Sequence, residues 1–184
     1  MEQFIGCDQH KHYSVFAAMN EAGQYGKTVR VEHDRGAMEK FLAGYNCAQS
    51  VLYAYGPDLG LDGETSLKVA TGLGAGMGRR GEVCGALTGG ILVLGLKYGR
   101  GARQDRSATE KTYEKTLELL ARFEKRHGSC LCHVLLGGCN LRTAEGQRLY
   151  KEHDLLHKTC IGCVQSVVES LAQIVDAPEA RAGV

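Results

Sequence analysis

The chain has 184 residues, 43% of them apolar, enough for one ordinary domain or one domain with an appendage. Its formal net charge is only +1, so no basic surface calls for nucleic acid or an anionic membrane. With 25 glycines, 2 prolines and no tryptophan, the composition favours long helices that approach one another closely.

The opening residues, 1–14, lack the continuous apolar stretch of a secretory leader. Residues 4–7, 13–19 and 27–31 read as three short strands, with a turn at Asn20-Glu-Ala-Gly23. Asp34 then caps a helix that places Met38, Phe41 and Leu42 at helical spacing. From Gly44 onward each segment reads as a helix or a glycine-rich turn. The helix at 47–55 sets Val51, Leu52 and Tyr55 on one face, and 65–71 forms a second, short one. Residues 72–81 must be loop-like or tightly packed. The longest apolar run, Val83 to Leu96, is 14 residues, short of the ~20 a membrane span needs, and reads as a buried helix over 82–98. After a polar link at 99–105, Ser107-Ala-Thr-Glu110 reads as a capping box. It opens a long helix with Tyr113, Leu117, Leu120 and Phe123 on the buried stripe, stopped by Gly128. Thr143 caps another helix. The last, 159–175, buries Val164, Val167, Val168, Leu171 and Ile174.

The expected fold class is mainly α, a bundle of five or six helices with an N-terminal three-stranded antiparallel β-meander. The expected domains are 1–42 for the meander, 43–176 for the helical domain and 177–184 for a flexible tail. The expected localisation is cytoplasmic, without membrane insertion. A sheet of three strands has open edges, so the chain is expected to be a homodimer with the meander at its interface.

The cysteines carry the functional signal. There are eight: Cys7, Cys47, Cys84, Cys130, Cys132, Cys139, Cys160 and Cys163. In a reducing compartment such a set points to thiol redox chemistry or metal binding rather than to permanent disulfides. Cys84 falls in the first turn of the apolar helix, where the helix N-terminus favours the thiolate and lowers the thiol pKa in a site that is not too dry. Cys160-x-x-Cys163 opens the last helix, a position suited to chelation, to an iron–sulfur cluster or to a cycling dithiol. Val164 follows it where covalent haem attachment needs histidine, so no covalent haem is expected. His127, His133, His153 and His157 lie near these cysteines, and each alone reads as a surface residue.

Gly76-Met-Gly78-Arg-Arg-Gly81 matches a dinucleotide-binding fingerprint in letters only. It lacks the strand before it, and no alternating strand–helix pattern follows. The better reading is a helix face without side chains, since Gly81, Gly85 and Gly89 recur every fourth residue. Arg79 and Arg80, ill-matched to a helix N-terminus, suit an anionic partner or open solvent.

Gly44-Tyr-Asn-Cys-Ala-Gln-Ser-Val51, Gly81-Glu-Val-Cys-Gly-Ala-Leu-Thr-Gly89 and Leu135-Leu-Gly-Gly-Cys-Asn-Leu141 together resemble the C_GCAxxG_C_C family of redox-active proteins, over Gly44 to about Val175. Cys84-Gly-Ala-x-x-Gly89 is the sharpest part of the likeness. The resemblance implies a small helical redox or cluster-binding protein whose four characteristic cysteines are Cys47, Cys84, Cys132 and Cys160. Cys139 lies in a segment that many members share, though Gly138 is extra here, and Cys130 and Cys163 look like additions. A related domain in a split-Soret type cytochrome implies that the fold tolerates metal cofactors. Phe4-Ile-Gly-Cys-Asp-Gln-His-Lys11 resembles the start of RNase-H-like insertion-sequence transposases, where the equivalent of Asp8 binds catalytic metal. The likeness stops near Leu42. The rest of that nuclease's acidic set has no counterpart, so no nuclease or transposase activity is expected.

The functional expectation is electron transfer or thiol–disulfide exchange through Cys84, Cys132, Cys160 and Cys47, with an unknown redox partner. Cys139 and Cys163 stand next as cofactor-binding candidates. The alternative is a metal- or iron–sulfur-binding module in which Cys84, Cys132, Cys139, Cys160 and Cys163 hold zinc or a cluster. Both require at least three of these sulfurs to converge.

Overall fold

The computed structural model describes residues 4–9, 13–19, 24–32 and 35–175, the strands among them by their backbone alone. The chain divides into two compact units, Met1–Arg35 and Gly36–Val184. In the first, β1 (Phe4–Gln9), β2 (Tyr13–Met19) and β3 (Tyr25–Glu32) pair antiparallel in that order. The second unit is 73% helical over its described residues and holds no strand or sheet there.

The fold class expected from the sequence is corrected accordingly. Seven of the eight cysteines lie in the mainly helical unit, which has no sheet among its described residues, and Cys7 lies in β1. Five or six helices also undercounts it: nine α segments, several very short, succeed one another among the described residues. They are α1 (Ala37–Leu42), α2 (Cys47–Tyr55), α3 (Gly63–Ala70), α4 (Gly74–Met77), α5 (Gly85–Tyr98), α6 (Arg106–His127), α7 (Cys132–Leu135), α8 (Ala144–Glu152) and α9 (Ile161–Val175). The short ones escape a periodicity reading because four to six residues do not complete two turns. The helical unit also begins at Gly36 rather than at 43, because Ala37 and Phe41 of α1 are buried in its core. The tail expected to be flexible lies outside the described residues.

The core is made by α2, α5, α6 and α9. Val51 and Leu52 of α2, Leu87 and Val93 of α5, Phe123 of α6 and Val167 of α9 are all buried in it. Glycine sets the spacing. A Cβ on Gly89 would lie 2.6 Å from the Ala48 carbonyl oxygen, and one on Gly90 would lie 2.9 Å from a Leu119 methyl. Helix α5 can therefore press its backbone against α2 and α6 only as it is. Two phenols reach across to α9: Tyr55 donates to the Val168 carbonyl at 3.1 Å and Tyr98 to that of Ile174 at 2.8 Å. Buried hydroxyls are thus satisfied where aromatic rings fill the core.

The long helix departs from expectation on one face. Phe123 is buried, but so is Leu119, while Tyr113 and Leu117 are 61% and 67% exposed. Its N-cap is Asp105, whose carboxylate accepts from the Ser107 N–H at 2.8 Å, so the helix opens one residue before the expected capping box. None of the described helices is long and apolar enough to cross a membrane.

Candidate functional site

The site begins with where the cysteines fall on their helices. Cys47 is the first residue of α2, Cys84 is the N-cap of α5, and Cys132 is the first residue of α7. Cys160 closes a π-helical turn, Leu156–Cys160, that runs into α9, whose third residue is Cys163. Cys47, Cys84 and Cys132 therefore sit at helix starts, whereas Cys160 and Cys163 lie within a helical run that the π turn carries into α9. These ends are fixed by local chemistry. Asn46 caps α2, its side chain accepting from the Ala48 and Gln49 N–H groups at 3.0 Å, while the Gln49 side chain accepts from the Asn46 N–H. An isolated antiparallel bridge joins Val83 to Leu131, so the Cys84 N–H donates to the Cys130 carbonyl at 2.8 Å and the Cys132 N–H to that of Glu82 at 2.7 Å. That clip brings two cysteines distant in sequence to the same place.

Between the helix starts runs an unusual turn. Ala75 to Arg79 all have positive φ, from 53° to 72°. Left-handed backbone costs an L-residue roughly 1–2 kcal/mol, and alternating glycines at 74, 76 and 78 limit that cost. The glycine stretch is thus a left-handed turn rather than a dinucleotide loop, and the Ala75 N–H in it is aimed at the Cys47 sulfur. At Gly76, φ is +65° and a Cβ would come within 2.7 Å of the Cys132 Cβ.

Cys47, Cys84, Cys132, Cys160 and Cys163 line one cavity of about 390 Å3, with Tyr150 on its far wall. All four cysteines expected to act are there, together with Cys163. Cys139 is not. It faces a neighbouring pocket of about 260 Å3 that Cys132 also lines, and its thiol donates to the Gly146 carbonyl at 3.0 Å. Cys130 turns away, toward the Leu120 carbonyl. His133 lines the same pocket as Cys132 and Cys139, while two other histidines are engaged elsewhere. His127 bonds Ser166 at 2.7 Å, and His157 pairs with Asp154 at 2.6 Å.

The electrostatics reverse one expectation. The Cys84 thiol is not lowered by its helix end but held well above its ordinary value, first by the Cys163 thiol beside it and then by burial. N–H groups of Ala86 and Leu87 pull the other way and are outweighed. Burial, then Cys84, raises Cys47 to about 11 and Cys132 to about 12. Burial also raises Cys160 to about 11, partly offset by the Tyr150 hydroxyl, which donates to its sulfur at 3.5 Å. Backbone N–H groups favour the anion at Cys47 and Cys84, but burial, and at Cys84 first the Cys163 thiol, outweighs them. Tyr150 is the participant that the sequence did not announce, since a tyrosine on an amphipathic helix looks like any other.

All seven cysteines of the helical unit are free thiols. No group of three or more His, Cys, Asp or Glu side chains among the described residues converges on a point where one metal ion would be held. The sulfurs of the described residues, as placed, do not fit a zinc or iron–sulfur centre.

A family model described as "Putative redox-active protein (C_GCAxxG_C_C)" matches residues 45–174. No curated protein and no solved structure matches the chain.

Proposed function

The chain belongs to the C_GCAxxG_C_C family, and from that premise we propose that it is a thiol–disulfide redox protein that stores an electron pair in its buried cysteines. The observation that carries this reading is the gathering of five free thiols around one cavity, with Cys84 and Cys163 in mutual reach.

Oxidation of two neighbouring thiols forms one S–S bond and releases two protons and two electrons. In exchange with an external disulfide, one cysteine thiolate attacks a sulfur of the disulfide and expels the first external thiolate. A second cysteine thiolate then attacks the resulting mixed disulfide and expels the other. The external disulfide gains the electron pair and takes up two protons to become two thiols. A dithiol donor restores the reduced state by the same two exchanges in reverse.

The raised thiol pKa values bear on direction. A dithiol whose anion is stabilised is hard to oxidise, which makes its disulfide a strong oxidant. Here burial withholds that stabilisation and the thiols stay protonated at neutral pH, so thiolate stabilisation does not make the disulfide of these cysteines a strong oxidant.

The test is to titrate the free thiols of the unfolded protein after reduction and after oxidation by a disulfide, and to map any new bond by mass spectrometry. The reading expects two thiols lost per turnover and a bond among Cys47, Cys84, Cys132, Cys160 and Cys163. Stoichiometric iron or zinc in the protein as purified, with thiols titrating only after chelation, would overturn it in favour of a metal-binding module.

A further inference from the structure

The second pocket adjoins the thiol cavity and differs from it in charge. Arg79, Arg80, Arg142 and His133 line it, no Asp or Glu does, and Cys132 and Cys139 are its sulfurs. Arg80 is paired with Glu82 at 3.0 Å. Arg79 and Arg142 have no ion-pair partner among the described residues, and both are exposed. His133 holds its Nδ1 on the Gly81 carbonyl at 2.8 Å, which turns its other ring nitrogen outward. Arg79 and Cys132 also line the thiol cavity, so the two spaces share a wall. Arg79 is held there with φ +72°, in the left-handed region that disfavours an arginine. Strained backbone of this kind persists where the surroundings impose it, most often at sites of function.

Two unpaired guanidinium groups beside a cysteine form a receptor for a planar anion, because arginine presents a rigid fork of donors to a carboxylate. We infer that this pocket binds a small disulfide bearing carboxylates, held by Arg79 and Arg142 so that its S–S bond faces Cys132. This deepens the redox reading and rests on it. Cys132 is then the exchange cysteine. Its sulfur attacks the bound disulfide and releases one carboxylate-bearing thiolate, leaving a mixed disulfide. A cysteine on the cavity side, Cys84 or Cys160, attacks Cys132 from within, closes an internal S–S bond and releases the second thiolate. The electron pair passes from the cavity to the pocket through one shared residue.

The probes are three small disulfides of similar size: dithiodipropionate, which is anionic, bis(2-hydroxyethyl) disulfide, which is neutral, and cystamine, which is cationic. Each is mixed with the pre-reduced full chain, and released thiol and mixed-disulfide mass are followed with time. The anionic probe is expected to react about tenfold faster than the neutral one at low salt, with cystamine slowest, and the gap to close as salt is added. Arg79→Gly, which suits the positive φ, and Arg142→Gln should each slow the anionic probe about tenfold more than they slow the neutral probe, the loss of one charge-assisted hydrogen bond. In a Cys84→Ser/Cys160→Ser protein the mixed disulfide should accumulate on Cys132. Equal rates for all three probes, or arginine variants that slow the neutral probe as much, would overturn the anion site and leave the redox reading standing. Failure of all three probes to take any thiol from the protein would overturn both. A protein that exchanges at Cys160 first would place the substrate elsewhere.

Discussion

Cys163 lies beside Cys84, and its thiol is the foremost reason that the Cys84 thiol is held well above its ordinary value. The two residues are 2% and 6% exposed, on the first turn of α9 and at the start of α5. Cys84 in turn raises Cys47, Cys130, Cys132 and Cys160. One sulfur acts on four others of the cluster.

Replacing it by Cys84→Ser keeps a small polar side chain and takes away a group that titrates to an anion. Cys47 and Cys132 should then ionise more easily, because Cys84 is the largest charge acting against each after burial itself. Cys84 is itself a protonated thiol near neutral pH, so the effect belongs to alkaline solution, where site-resolved alkylation at about pH 11 should run about two- to fivefold faster at both positions, a shift of under one pKa unit. Unchanged rates would mean that burial alone sets these thiols.

The same raised values fix a pH dependence. Cys47, Cys132 and Cys160 titrate near 11, 12 and 11 in the fold and near 9.0 when unfolded. Above pH 9 the unfolded chain holds fewer protons than the native one, so stability falls with rising pH through that window and is fully present below it. Urea midpoints should be flat from pH 7 to 8.5 and drop between 9 and 11. In a variant with these three cysteines changed to serine, the drop should shrink. Exchange with an external disulfide should move oppositely, accelerating with pH as thiolate forms.

The left-handed turn offers a stability test. At Gly76, with φ +65°, a Cβ would press on the Cys132 side chain and on Glu82 backbone atoms at 2.8 and 2.9 Å. At Gly78, with φ +62°, the nearest atom is 4.0 Å away. Gly78→Ala should cost only the conformational penalty, about 1 kcal/mol. Gly76→Ala should add an overpacking cost of about 1–3 kcal/mol and disturb Cys132 alkylation as well. Equal midpoints in chemical denaturation for the two variants would show that the turn moves away from Cys132 without cost.

Much of this site can be read from the residues themselves. The span of α2, the apolar stripe of α9 and the close approach along Gly85 and Gly89 all follow from spacing, because each is a local pattern repeated over two or more turns. Cysteines at or near helix ends lead to the expectation that at least three sulfurs converge, the resemblance adds Cys47, and these four line one cavity with Cys163. What escaped depends on neighbours distant in sequence. Tyr113 and Leu117 have the spacing of a buried stripe, but the helix is rotated to bury Leu119 instead. The sign of the Cys84 shift depends first on the Cys163 thiol, brought beside it from across the fold, and then on burial. Arg79 and Arg142 face one pocket only because the turn before α5 meets the loop after α7.

Tyr150 gives the most direct test of the cavity's chemistry. Its hydroxyl donates to the Cys160 sulfur at 3.5 Å, and burial together with that sulfur raises the phenol's own pKa, so the proton stays on oxygen throughout the working range. A hydrogen bond given to a thiolate favours the anion, and this one opposes the burial that lifts Cys160 to about 11. Tyr150→Phe keeps the ring in place and deletes the donor alone, so stability should change by no more than about 1 kcal/mol. Cys160 should then titrate higher still, and its alkylation at pH 9 should slow by about three- to tenfold, while Cys130, which turns away from the cavity, keeps its rate. Charge rather than packing would be responsible, because Tyr150→Leu should slow Cys160 no further per proton and should instead loosen α8. A Cys160 rate that stays the same in Tyr150→Phe would falsify the hydrogen bond as a determinant of thiolate formation, and the cavity would then be dry without any polar group tuning it.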